Sequence, residues 1–298
     1  MVMANPEHLG LFFEPKRWQA WRQQHSHILP DLSGTDLSGG EEWTDKLQRV
    51  NASKCTFHYM NFACANFDGA LLVGASLSCA CLIEASFVGA DLRGADLYAA
   101  ACSNINMSAA NVQGAFLVGV SMNDATLRDA DLQKATIRKS ILESSDFRGA
   151  NLAGIYASEC EIYDANVAGA DLTGADFRWT NLSRTNLLEA RNGLDFMHLK
   201  LRGALLRETN LYGALMRNMD LRKVNFAKAD LRGADLRGAD LTKAYFKQTM
   251  VAGTLFDGAL VDWDQVTLSH DLLTSNDGPY YDYWREWDKE EDEEWDEV

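Results

Sequence analysis

The chain has 298 residues, with 43 acidic against 28 basic side chains and a formal net charge of −15. That balance argues against direct nucleic-acid binding, and no stretch is long and apolar enough to span a membrane. Six cysteines without a CxxC pair argue against a disulfide framework or a metal knuckle.

In chain order, Met1-Val2-Met3-Ala4-Asn5-Pro6 does not read as a signal peptide. With the unpaired cysteine pattern this gives a cytoplasmic protein as the expectation. Residues 14–27 read as a helix, with Pro15 suited to the first turn and Pro30 ending the segment. Asp31-Leu32-Ser33-Gly34 and Asp36-Leu37-Ser38-Gly39 read as two opening repeats. Leu37 and Phe57 stand one full coil apart, so residues 40–54 are expected to be one irregular turn or a loop that spans one. The helix is expected to cover an end that would otherwise expose unpaired backbone.

From Phe57 to Leu187 every fifth residue is apolar, and the rule holds again from Phe196 to Val261, giving 41 units. Thirty of the 41 central positions are Leu or Phe, and Ala stands two residues earlier in 24. A period of five fits neither a helix nor a strand, so the chain must turn a corner in every unit. Central Leu or Phe fills the inside and the small residue before it also points inward. Gly94, Gly149, Gly174, Gly233 and Gly238 end their units, where a corner needs backbone freedom.

The run Ala229-Asp230-Leu231-Arg232-Gly233, Ala234-Asp235-Leu236-Arg237-Gly238, Ala239-Asp240-Leu241-Thr242-Lys243 resembles the pentapeptide-repeat family, whose units read Ala-(Asp/Asn)-Leu-x-x. The resemblance implies an all-β solenoid, a right-handed quadrilateral β-helix with four units per coil. About ten coils at roughly 4.8 Å each would make a rod on the order of 50 Å long. Trp18-x-x-Trp21-Arg22 followed by Pro30-Asp31-Leu32-Ser33-Gly34 also resembles a lead-in found before other bacterial coils of this kind. The expected organisation is an N-terminal helix, opening repeats and irregular turn over 1–54, the β-helix over 55–262, and a C-terminal cap and tail over 263–298.

Stacked four units to the coil, one inner column reads Phe57, Leu77, Leu97, Leu117, Ile137, Ala157, Phe177. Ala157 is its weak point, filled by Ile155 and Tyr156 or left as a small cavity. The step from Leu187 to Phe196 is one residue short of two whole units, and Ala190-Arg191-Asn192-Gly193 has no apolar centre. This slip at 188–195 reads as one shortened side.

After Val261 the pattern changes. Residues 262–276 are expected to form a short capping helix. Pro279 onward is acidic and aromatic, and Tyr280, Tyr281, Trp284 and Trp287 are expected to dock on the rod's end, a second copy or a partner. Residues 263–298 carry 13 acids and 2 bases, so the tail holds most of the imbalance. Residues 196–262 carry 7 acids against 11 bases. Arg202 and Arg222 stack one coil apart, as do Arg217 and Arg237 on an adjacent side, a basic surface suited to an acidic tail. Tyr98, Phe116 and Val118, with Tyr156 and Trp179 further along, map to one outward face and form a candidate partner surface.

The six histidines belong to no triad or metal motif, and the glycines follow the repeat rather than a phosphate loop. No catalytic, cofactor or metal site is expected, since a filled rod has no concave pocket. The expected function is a non-catalytic scaffold or linker that binds protein partners, with self-association through the tail as one mode. By family analogy a linker of a cyanobacterial light-harvesting complex is one use. Two alternatives stand: a DNA mimic that binds type II topoisomerase, as quinolone-resistance members do, and a regulatory factor that binds a signalling protein.

Overall fold

The computed structural model describes residues 5–12, 14–25, 27–28, 30, 32, 47–191 and 195–262. Two helices come first, α1 (Pro6–Phe12) and α2 (Pro15–Gln24). Pro15 opens α2, where a missing amide costs nothing, and the His25 amide closes it on the Trp21 carbonyl. The sequence pointed to α2 but not to α1, which is too short to show a period. Both helices meet the first coil. Phe12 is fully buried with its ring 5.7 Å from that of Phe57, and Trp18 Nε1 donates to the Asn51 carbonyl at 2.7 Å. Arg22 Nη2 donates to the Ser53 carbonyl at 2.8 Å.

From Asn51 onward the chain winds as a four-sided tube. Parallel bridges join most units to the fourth unit after them, beginning with Asn51↔Leu71 and Thr56↔Ser76 and ending with Leu241↔Val261. Each side contributes only one or two bridged residues, because a corner follows in every unit. Hence the only two regular strands among the described residues are β1 (Asp240–Leu241) and β2 (Leu260–Val261). The four sides, taken in chain order, are called faces A to D. Their first centres are Phe57, Phe62, Phe67 and Leu72.

The amides of a repeat unit can be accounted for one by one. In the unit centred on Leu92, the Leu92 amide donates to Asn111 and the Gly94 amide to Gln113, both one coil on. The Asp91 amide donates back to Ala70, and the Ala95 amide closes a turn on Leu92. The remaining amide, on Arg93, is taken by Asp91 Oδ1 at 3.3 Å. Asn66, Asp96, Asn106, Asn111, Asp131, Asp146 and Asn151 serve the amide two residues on in the same way. The Asp/Asn preference is therefore structural: a short acceptor satisfies the one donor that the coil leaves over. The last residue of each unit turns the corner in the left-handed region. Gly94, Gly149, Gly174, Gly233 and Gly238 do so, and so do many non-glycine residues, among them Asp129, Lys134 and Trp179.

The centres from Phe57 to Phe246 are buried, while Val251, Phe256 and Val261 at the C-terminal end are partly exposed. At the level of Ala157 the tube holds a cavity of about 10 Å³ lined by Ile137, Ile155, Ile162 and Phe177 among others. Ile155 fills part of the gap, but Tyr156 points outward and does not. Several small inward residues that carry a hydroxyl donate it to a carbonyl of the preceding coil, whereas Thr209 Oγ1 reaches Arg207 in its own coil at 3.3 Å. Ser140 Oγ reaches Leu117 at 2.7 Å, Ser145 Oγ reaches Met122 at 2.9 Å and Thr249 Oγ1 reaches Phe226 at 2.7 Å. These buried hydroxyls are thus satisfied.

Two register expectations are corrected. The Leu32 amide donates to Thr56 and the Thr56 amide to Pro30, so Leu32, not Leu37, underlies Phe57. That opening step is one unit longer than an ordinary coil. The slip at 188–195 is an insertion, not a shortened side. The Arg191 amide still pairs with Ala170 in the ordinary register, whereas Asp176 bridges Lys200 and Asn181 bridges Leu205. Four extra positions therefore lie between Arg191 and Lys200. Asp195 bridges upward to Leu215, so Arg191 pairs with the coil below and Asp195 with the coil above. A loss of one and a gain of four look the same modulo five, and the hydrogen bonds distinguish them. The capping helix expected over 262–276 lies, beyond Asp262, outside the described residues. So do Tyr280, Tyr281, Trp284 and Trp287 of the tail.

Candidate protein-docking face

Face A runs through the bridges Thr56↔Ser76, Ser76↔Asp96, Asp96↔Phe116, Phe116↔Thr136, Thr136↔Tyr156, Tyr156↔Asp176 and Asp176↔Lys200. Residues on either side of a centre point outward together, since side chains alternate across the sheet. Tyr98, Phe116, Val118, Tyr156 and Trp179 therefore all lie on face A or its corner. Val118 sits one coil above Tyr98, and Phe116 is beside it above Asp96. Tyr98 and Phe116 are each more than half exposed, and Val118 is half-buried.

The five do not form one continuous patch. Arg138 follows Val118 in its column and is held by Ser158 Oγ at 3.0 Å and Glu159 at 2.6 Å. Thr136 separates Phe116 from Tyr156. Trp179 stands at the corner, against Gly203 of the next coil, with Lys223 Nζ 5.5 Å from its ring centroid. The cluster that holds together is Tyr98, Phe116 and Val118. Sequence reasoning missed Tyr59, the most exposed aromatic of the face at 70%, although the same coil stacking puts it there. Five of the six exposed aromatic side chains among the described residues lie on face A, with Tyr212 elsewhere. Over the first four coils, at positions 56–59, 76–79, 96–99 and 116–119, Asp96 is the one acidic or basic side chain. His58 there bonds Ser76 Oγ at 2.6 Å.

The pentapeptide-repeat model matches in eight copies, within residues 53–87, 75–111, 105–143, 140–178, 160–191 and 200–238. The chain belongs to the pentapeptide-repeat family. As a pentapeptide-repeat protein it is a right-handed β-helix solenoid. Among solved structures it is similar to HetL, a pentapeptide repeat protein involved in heterocyst differentiation regulation from the cyanobacterium Nostoc. Identity is 27%, over 72% of this chain and 89% of HetL, with a TM-score of 0.25. It is also similar to QnrB1, a plasmid-mediated fluoroquinolone resistance protein, at 17% identity over 79% of this chain and 95% of that one, with a TM-score of 0.37. Rfr23 of the cyanobacterium Cyanothece matches at 22% identity over 50% of this chain and 89% of its own, with a TM-score of 0.14. No curated protein aligns significantly with the chain.

Many of the arginines of this pentapeptide-repeat coil are matched by a carboxylate of their own unit or of a neighbouring coil. Where Arg follows two residues after the Asp, its guanidinium closes on the same carboxylate that accepts the arginine's own amide. Asp91–Arg93, Asp146–Arg148, Asp176–Arg178, Asp220–Arg222, Asp230–Arg232 and Asp235–Arg237 are all built this way. The Arg148 hydrogen bond, followed by that of Arg128, pulls the Asp146 carboxyl down to about 2 against the opposing effect of burial. Arg237 and then Arg217 hold Asp235 lower still. Of the four arginines expected to form a basic surface, Arg217, Arg222 and Arg237 are therefore already paired. Arg202 has no ion pair among the described residues, and its Nε is buried without an acceptor there. Among the described residues no group of three metal-ligating side chains gathers, and no helix is long and apolar enough to cross a membrane.

Proposed function

We propose that the chain is a non-catalytic protein-interaction scaffold that engages a protein partner through the first four coils of face A. The observation that carries this is the Tyr98–Phe116–Val118 cluster, set in a flat surface with Asp96 as its one charged group. Desolvating such a surface costs little, and exposed aromatics are the usual anchors of an interface. A linker role in a larger assembly and a regulatory role like the one stated for HetL would both use this surface. The DNA-mimic reading is less well supported, because the last coils, residues 196–262, carry 11 bases against 7 acids. A supercoiling assay tests it: inhibition or drug protection of a topoisomerase at micromolar protein would revive it.

The decisive experiment is affinity purification from the native organism with the wild-type chain and a Phe116→Lys/Val118→Lys variant. Both residues face outward, so the circular dichroism and melting of the variant should be unchanged. The scaffold reading expects a specific partner to be captured by the wild type and lost with the variant. Equal capture by both chains would overturn it.

A further inference from the structure

Positive charge in the last coils is one-sided. Over residues 196–262, faces A and B carry Lys200, Arg202, Arg207, Arg222, Lys223, Lys228, Lys243 and Lys247 against Glu208, Asp220, Asp240 and Asp262. Faces C and D balance three arginines with three aspartates, and each of those arginines meets a carboxylate. On faces A and B some bases are paired, Arg222 with Asp220 and Lys228 with Glu208. Arg202, Arg207 and Lys243 have no carboxylate within ion-pair distance among the described residues, and Lys223 leans on the Trp179 ring. Lys223 and Lys243 stack above Gly203 at the corner of face A, with Arg202 beside Gly203, and at about 4.8 Å per coil the three bases form a ladder roughly 10 Å long. Trp179 stands at one end of it.

The chain leaves the tube at the other end. Asp262 belongs to face A, and its Oδ2 accepts the Lys243 amide at 2.8 Å. Beyond it the sequence runs on to Val298, and 279–298 hold ten acids and two bases interleaved with Tyr280, Tyr281, Tyr283, Trp284, Trp287 and Trp295. The stretch between Asp262 and Pro279 spans up to about 50 Å when extended, several times the length of the ladder. A tethered segment of opposite charge competes at millimolar effective concentration with anything free in solution.

We propose that the Arg202–Lys223–Lys243 ladder on face A and its corner is the receptor for the chain's own C-terminal segment, residues 279–298. The segment's carboxylates meet the unneutralised bases, and its aromatic rings meet Trp179. The arginine columns on face D take no part, because their charges are already matched.

Carbodiimide cross-linking of the full-length protein tests this, since it joins a carboxylate to a lysine only where they touch. An equal mixture of nitrogen-14 and nitrogen-15 chains is used, with peptide mass spectrometry. Links from Asp282–Glu297 to Lys200, Lys223, Lys228, Lys243 or Lys247, within one chain, are expected. Their yield should fall about fivefold or more in roughly 0.5 M salt and in a Lys223→Glu/Lys243→Glu variant. The Lys228–Glu208 pair supplies an internal control for the reaction. Links of mixed isotope would replace the proposal with self-association between copies. Tail links to Lys54, Lys134 or Lys139 instead, or none while Lys228–Glu208 still forms, would overturn it.

Discussion

Trp179 lies so close against Gly203 that a Cβ on residue 203 would collide with indole carbons Cε3, Cζ3 and Cδ2. Corner residues occupy the left-handed region whether or not they are glycine, so φ alone does not demand glycine at 203. The indole does. Gly203→Ala is expected to destabilise the protein by about 2–3 kcal/mol, from overpacking added to the left-handed penalty. In a Trp179→Ala background the cost should drop to about 1 kcal/mol, as it should for Gly94→Ala, which meets no neighbour closely. Urea unfolding of the four chains in the cycle measures the coupling.

Filling the tube at Ala157 should stabilise it. Ala157→Val adds two methyl groups inside the coil that holds the cavity of about 10 Å³ and is expected to add roughly 0.5–1 kcal/mol. Ala157→Phe should overshoot and lose about 1–3 kcal/mol. Melting temperatures of the two variants, moving in opposite directions, check this.

The Asp146 ion pairs give a signed pH dependence. The folded carboxyl titrates at about 2, below the ordinary aspartate value of about 3.9. The stabilisation is therefore full above pH ~4 and is lost as the pH falls toward 2. Asp146→Asn keeps an acceptor for the Arg148 amide but removes the charge. The stability difference between wild type and this variant should hold nearly constant down to pH ~4, then fall away and be mostly lost by pH ~2. A constant difference at pH ~2 would show that the amide bond, not the charge, carries the effect.

Thiol chemistry should divide the cysteines in half. Burial pushes Cys55, Cys102 and Cys160 up to about 12, and all three face the tube interior. At pH ~8 an alkylating reagent is expected to modify Cys64, Cys79 and Cys81 in the native protein and the other three only on unfolding. Cys64 donates its Sγ–H to Glu84 at 3.6 Å, so Glu84→Gln should speed its reaction. Peptide mapping after timed quenching reads both effects.

The inside of the tube was legible in the sequence because a single period governs it. Phe57 to Phe246 fall inward as the beat requires, and a small cavity lies in the coil that carries Ala157. The outside was legible only in part. Stacking four units to the coil placed Tyr98, Phe116 and Val118 together correctly, and it would have placed Tyr59 there too. It missed that Asp235 holds Arg217 and Arg237 at once, since that depends on side-chain reach across coils rather than on column position. Leu32 and the stretch after Arg191 misled for another reason. A whole added unit and a gain of four leave little or no trace in a count taken modulo five.

The junction between Arg191 and Asp195 shows how such a chain can change length without changing its aim. One residue closes the lower coil and another opens the upper, so the surplus is absorbed at a single edge. Tyr156, Asp176 and Lys200 remain aligned across it as though nothing had been added. Decoration on the two halves of the tube is therefore free to diverge while keeping a common azimuth. A partner that grips both halves would need no readjustment if the splice grew a little longer.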